Sequence, residues 1–234
     1  MLQDALHERL DDCCDPQGLP SLRRLIASSL ARGRNLACSG ENIVVTCGLR
    51  QSFYLIARVL LREGDRVLVE GGLEQELRAV FAGAGTLPVA IDPCDINRER
   101  DGAQFANARL AVIAENSSDF RLQERRALLL NWIRDANGWM VEQDTDAGTV
   151  RGHIVDSMHR LDPDRVLIAG GFNPSIRSCA QLGYLVVPAR LAGAFAGACY
   201  MIDGVPMPST QRAMASFIEG GHLFATHHGQ PEMR

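Results

Sequence analysis

The side chains able to do chemistry gather at three turns of the chain. The first is Cys47-Gly48-Leu49-Arg50, where an apolar run meets a helical pattern. A glycine before a helix start lets backbone N–H groups approach an anion. Arg50 could add a guanidinium there, whereas Leu49 offers no donor. The second turn is Glu142-Gln143-Asp144-Thr145-Asp146, a carboxylate-rich end to an apolar strand. The third lies within residues 165–188, RVLIAGGFNPSIRSCAQLGYLVVP, where Asn173, Pro174, Cys179 and Gln181 stand between two apolar runs. An open loop between buried strands is where α/β proteins usually keep their chemistry.

One count restricts that chemistry. All 24 basic residues are arginine and the chain contains no lysine. Arginine stays protonated, so no side-chain primary amine is present to attack a carbonyl. The thiols of Cys47 and Cys179 flank the loops, but no histidine is placed to activate either, and both are expected to be small buried hydrophobes. His222, His227 and His228 cluster in sequence, yet adjacent histidines rarely ligate one ion, so no metal site is expected. Asp11, Asp12 and Asp15 around Cys13 and Cys14 suit an acidic helix end with an oxidation-prone thiol pair. Gly83-x-Gly85 lacks the third glycine of a dinucleotide fingerprint.

The elements that must position these turns read as α/β. The 234 residues are 46% hydrophobic and 22% charged, enough for one large buried core. A net charge of −4 gives no basis for a nucleic-acid or anionic-membrane surface. No apolar run approaches 18 residues, and the acidic N-terminus is unlike a targeting signal. Seven irregularly spaced cysteines suit a reducing compartment, so a cytoplasmic location is expected.

Leucines 2, 6 and 10 predict a short helix over 1–12, and Pro20 opens a second through Leu30. Strands are predicted at Ile43–Thr46, Arg66–Val69, Leu87–Ile91, Leu110–Ala114, Trp139–Val141, Val166–Ala169 and Leu182–Val187. Helices are predicted over 49–61, 74–82, 123–136 and 189–198, with Leu128, Leu129, Trp132 and Ile133 on the inner face of the third. Gly170 and Gly171 read as loop, as do the polar residues 93–108. The alternation of strand and helix with short connections is the signature of a mainly parallel sheet.

The chain resembles fold type I pyridoxal-phosphate aminotransferases of class I/II, and most of all the aminotransferase-like domain of MocR/GntR-type regulators. The likeness runs from about residue 18 to 234. GLPSLRRLIASSLARGRNL resembles the family's G-x-P-x-L-R-x-x-I-A segment, and RVLVEGGLE resembles V-x-V-E-x-P-x-Y. QRAMASFIEGGHLFATHHGQPEMR resembles Q-x-A-x-x-x-F-I-x-x-G-H-x-x-x-H-x-x-x-M-R. The resemblance implies a three-layer α/β/α sandwich with a mainly parallel sheet, lacking most of the C-terminal small domain. It further implies an N-terminal helical extension over 1–17, a large domain over 18–210 and a junction over 211–234.

The same resemblance marks what has changed. In G-T-F-S-K-T-L-A-P-G-L-R-L-G-Y, the serine falls on Asn173, the Schiff-base lysine on Pro174 and the phosphate-binding arginine on Gln181. The phosphate cradle retains Gly48, but its hydroxyl residue becomes Leu49 and the next polar residue Arg50. The Pro-Thr-Gly turn is replaced by Glu115-Asn116-Ser117-Ser118-Asp119. In E-D-D-Y-D, the aspartate that pairs with the ring nitrogen falls on Gln143 and the tyrosine on Thr145. An amide cannot hold the ring nitrogen protonated as a carboxylate does, and Asp144 or Asp146 could take over only with a register shift.

The expectation is a degenerate, non-catalytic domain whose vestigial pocket comprises Cys47, Gly48, Leu49, Arg50, Asn116, Gln143, Thr145, Asn173, Pro174 and Gln181. No covalent cofactor is expected, and non-covalent pyridoxal phosphate stays open. So do a small anionic ligand and a homodimer or a heterodimer with an active, lysine-bearing paralogue. An enzyme acting only with such a partner, or the remnant of a decayed transcription regulator, are the alternatives. Neither nucleic acid nor membrane is expected as a partner.

Overall fold

A computed structural model describes residues 15–71, 73–92, 105, 107–114, 120–147, 157–172, 181–202 and 205–221. Its helices are α1 (Pro20–Arg34), α2 (Leu49–Leu60), α3 (Glu74–Gly83), α4 (Phe120–Asp135), α5 (Met158–Leu161), α6 (Ala189–Ile202) and α7 (Pro208–Glu219). Its strands are β1 (Ile43–Thr46), β2 (Arg66–Glu70), β3 (Leu87–Ile91), β4 (Ala108–Ile113), β5 (Trp139–Ala147), β6 (Val166–Phe172) and β7 (Gly183–Val186). The strands form one sheet in the order β1-β7-β6-β5-β4-β2-β3. Only β7 runs against the rest, pairing antiparallel with both β1 and β6.

Burial on both faces explains why the strands read as unbroken apolar runs. Alternate side chains separate into two layers. Val44, Val67, Val112, Val141, Leu167 and Leu185 pack under α2, α3 and α6, with Phe53, Phe81 and Phe195. On the other face, Ile43, Val45, Tyr184 and Val186 meet Leu22 and Ile26 of α1 and Met214 and Ile218 of α7. Leu68, Ala111, Ile113 and Met140 meet Leu129, Leu130 and Ile133 of α4. The result is the expected α/β/α sandwich. No helix among the described residues is long and apolar enough to cross a membrane.

The ends of the sandwich are clasped together. Gln211 of α7, almost fully buried, accepts the Leu19 N–H at 2.8 Å and donates to the Pro206 carbonyl at 2.6 Å. Gln17 donates its side-chain amide to the carbonyls of Glu41 and Ile43, and its own carbonyl accepts the Val45 N–H. Helix α7 therefore packs on α1.

Several sequence expectations are corrected. Gly170 and Gly171 belong to β6, near its C-terminal end, because their missing side chains let Tyr184 and Leu49 press against the strand. Leu128 is exposed, and Leu130 takes its inner position beside the buried Arg126. Helix α4 begins three residues before 123, and α6 runs four beyond 198. The helix predicted over 1–12 and the histidines 222, 227 and 228 lie outside the described residues.

Candidate functional site

The C-terminal edge of the parallel strands carries one cleft of about 340 Å³, open to solvent and lined by Cys47, Gly48, Leu49, Arg50, Glu76, Gly171, Gln181 and Leu182. This edge is where open α/β sheets bind ligands. Two strand-to-helix junctions and the start of the reversed strand build it. Gly48 has φ +98°, the left-handed region that glycine enters at least cost, and it precedes α2 without a capping side chain. The Gln51 side chain turns back to accept the Cys47 N–H at 2.6 Å. Ser52 and Thr46 share a hydroxyl hydrogen bond of 2.8 Å beneath the turn.

Five of the ten residues singled out in the sequence meet in this cleft: Cys47, Gly48, Leu49, Arg50 and Gln181. Asn116, Asn173 and Pro174 lie outside the described residues. Thr145 continues β5. Cys47 is exposed, against the expectation of a buried thiol, because the open turn at Gly48 leaves its side chain uncovered. Leu49 rests on β6, where a Cβ at position 171 would lie 3.3 Å from its Cγ and Cδ1. It contributes an apolar floor and no hydrogen bond to a ligand.

The neighbouring strand β5 sorts its polar residues by parity. Gln143 shares the face of Val141 and pairs in register with Ala169, so it belongs to the cleft side of the sheet. Its Oε1 is buried without a hydrogen-bond partner among the described residues. Glu142 faces the other way, accepting from the Ser157 hydroxyl and from the N–H groups of Met158 and His159 at the start of α5. It therefore does not border the cleft.

Asp144 also faces away. One oxygen accepts from Arg34 at 2.9 Å and the other from the Tyr184 hydroxyl at 3.1 Å. Burial, reinforced by the Asp144 charge, holds the Tyr184 phenol well above its ordinary value. This lock fixes Asp144 on the face opposite the cleft, so it cannot replace Gln143 by a register shift. Sequence reasoning alone did not place Glu76, Gly171 or Leu182 in the cleft. Glu76 lies in the first turn of α3, two residues past the position where the family motif would place an aromatic, and nothing in its own neighbourhood singles it out.

The donor set does not suit a Schiff-base cofactor. No lysine exists to hold it, and Glu76 puts a carboxylate where a phosphate would bring more negative charge. Leu49 supplies apolar surface where a hydroxyl would be wanted. Among the described residues, no group of three or more His, Cys, Asp or Glu side chains is placed to hold a metal ion.

No family model matches the chain. Among curated proteins it is similar to the probable rhizopine catabolism regulatory protein MocR of Rhizobium meliloti, with 30% identity over 224 residues, covering 90% of this chain and 44% of the relative. It is 28% identical over 228 residues to the pyridoxine biosynthesis transcriptional regulator PdxR of Corynebacterium glutamicum, covering 88% and 46%. The (S)-3,5-dihydroxyphenylglycine transaminase of Amycolatopsis orientalis is 27% identical over 187 residues, covering 72% and 42%. The chain spans about half the length of the curated relatives it matches. Solved structures agree on the fold. An aspartate aminotransferase from Rhizobium meliloti superposes with TM-score 0.76 at 19% identity, covering 96% of this chain and 61% of the other. That from Thermus thermophilus with maleate gives 0.74 at 19%, covering 90% and 58%.

Proposed function

Because this chain is a homologue of the MocR-type regulators with the fold of a pyridoxal-phosphate aminotransferase large domain, we propose that it is a non-catalytic aminotransferase-like domain. It serves as a regulatory or scaffolding module and performs no transamination. The observation that carries this reading is the absence of lysine from all 234 residues. Without a side-chain amine no internal Schiff base forms, and arginine cannot substitute. The apolar Leu49, the Gln143 amide in place of a carboxylate and the outward lock on Asp144 support the same reading, since each removes a group that would serve the cofactor.

A self-associating role accompanies it. Tyr200, Met201 and Ile202 at the end of α6 and Met207 just before α7 are exposed large apolar side chains, with Met201 at 81%. Such a group suits a protein contact, and a homodimer through this region is the arrangement it favours. Multi-angle light scattering on the wild type and on M201E/M207E tests it, and two monomeric profiles would refute it.

The catalytic question is decided by incubating the chain with pyridoxal phosphate, reducing with borohydride and mapping pyridoxyl groups by peptide mass. The expected result is no adduct on any side chain and no exchange of amino groups between amino and keto acids. A side-chain adduct together with turnover would overturn the proposal.

A further inference from the structure

Asn137 is the only asparagine in the chain that is followed by glycine. Such a pair is prone to self-modification, because a residue without a side chain leaves its nitrogen unhindered beside the asparagine amide. Here the pair forms the turn between α4 and β5. Asn137 is exposed and holds φ +53°, the left-handed conformation that asparagine tolerates at a helix end. Its N–H donates to the Arg134 carbonyl at 2.9 Å, and the buried Gly138 donates its N–H to the Ile133 carbonyl at 2.8 Å. These are the paired bonds of a Schellman motif.

The second position requires glycine. A Cβ on residue 138 would lie 2.8 Å from the Arg109 carbonyl oxygen and 3.2 Å from its carbon. Side chains close on the same turn from both ends. The Arg109 guanidinium donates to the Ala136 carbonyl at 2.6 Å, and Arg165 donates to the Gly138 carbonyl at 3.4 Å. Directly beyond stands Trp139, which opens β5 opposite Leu110 of β4 and carries Arg165 and Arg190 at 5.5 and 5.8 Å from its ring centre. The fold thus needs a chemically vulnerable pair at this turn and holds its nitrogen in a hydrogen bond.

We propose that Asn137–Gly138 is a latent site of spontaneous covalent modification, sealed by the closed turn and released when the end of α4 opens. In the open turn the Gly138 nitrogen gives its proton to solvent base and attacks Cγ of Asn137. The bond from Cγ to Nδ2 breaks, and that nitrogen takes up a proton and leaves as ammonia. Water then adds to either carbonyl of the cyclic imide and breaks one ring C–N bond, leaving aspartate or isoaspartate. Water is consumed and ammonia released, and nothing is oxidised or reduced. Aspartate puts a negative charge at the helix C-terminus, where the dipole disfavours it. Isoaspartate lengthens the backbone by a methylene in a turn that Arg109 already crowds, so Trp139 no longer meets Leu110 in register.

The test incubates the full 234-residue chain in mildly alkaline buffer made with heavy-oxygen water, which labels each imide as it opens. Peptide mass follows every asparagine, and hydrogen exchange by NMR gives the protection of the Gly138 amide. In urea, Asn137 should be the first asparagine to convert, and folding should slow it at least about tenfold. That slowing should match the protection of the Gly138 amide within about threefold, because one opening governs both. R109Q removes the bond to the Ala136 carbonyl. It should speed conversion in the folded chain and lower Gly138 protection by the same factor, with the rate in urea unchanged. Circular dichroism checks that R109Q remains folded; the wild type at graded urea below its midpoint gives the same comparison without a substitution. The proposal is overturned if another asparagine converts first in urea, or if the folded chain converts as fast as the unfolded one. It is also overturned if conversion and exchange at this turn change by different factors.

Discussion

Replacing Gly170 by alanine should unfold the chain at markedly lower denaturant, and the size of the loss follows from the geometry. A Cβ at position 170 would stand 1.9 Å from Cζ of Tyr184 and 2.3 and 2.4 Å from Cε2 and Cε1. Carbon atoms prefer about 3.5–4.0 Å, so the ring must move. It has nowhere cheap to go: Tyr184 is fully buried, and its hydroxyl donates to Asp144, which also holds Arg34. Overpacking a core costs about 1–3 kcal/mol, and losing a hydrogen bond to a charged acceptor adds about 1.5–3 kcal/mol, so G170A should lose about 2.5–6 kcal/mol. Urea unfolding reads this as a lower midpoint at unchanged slope. Removing the ring supplies the control. In G170A/Y184A the added methyl enters vacated space, so the double loss should fall short of the summed singles by at least about 1.5 kcal/mol. A G170A chain within about 0.5 kcal/mol of the wild type, or a strictly additive double variant, would refute the claim that glycine and ring lock together.

Other expectations follow from the same contacts. The Tyr184 phenol is raised in the folded chain, so its contribution to stability is complete below its unfolded value of 10.0 and is lost as the pH climbs above that. Y184F should therefore be less stable near neutrality by about 1–3 kcal/mol, yet its urea midpoint should fall less steeply above pH 10 than that of the wild type. Arg126 donates to both oxygens of Glu70, and Glu70 accepts the Ala114 N–H at 2.9 Å, tying α4 to the ends of β2 and β4. R126M leaves a buried carboxylate unpaired and should cost about 3–5 kcal/mol, part of it recovered by adding E70Q; equal melting of R126M and wild type would contradict this. Timed alkylation at neutral pH, read by peptide mass, should modify the exposed Cys47 before Cys38, whose thiol burial pushes up to about 11, with the buried Cys199 slowest of the three. Faster labelling of Cys38 would reverse that assignment.

The element order was legible because each strand is a short β-branched run bounded by glycine or polar turns, and both of its faces are covered. The helix-start half of the cleft was legible for the same local reason, since Cys47 to Arg50 are contiguous. What escaped were facts of approach between distant segments. Gly170 and Gly171 look like loop residues until Tyr184 and Leu49 arrive at the strand and need the room. Arg34 and Asp144 are far apart in the chain and meet only because α1 lies across the sheet. Which face Gln143, Asp144 and Glu142 choose depends on strand parity, and one residue of register decides it. Glu76 entered the cleft through the packing of α2 on α3, which no spacing in the sequence encodes.

The reversed strand β7 also imposes a schedule on synthesis. Among the described strands, β2 to β5 pair only with one another and with β6, so that block can assemble as it leaves the ribosome. Strand β1 pairs, among the described strands, only with β7: Ile43 must wait for Val186, and Thr46 for Gly183. At about 5–20 residues per second, that wait is on the order of ten seconds. Throughout it, the amphipathic α1 and an unpaired apolar strand are exposed together. The β1 edge is thus the last part of the sheet to be completed, and the contact of Gln211 with Leu19 closes over it.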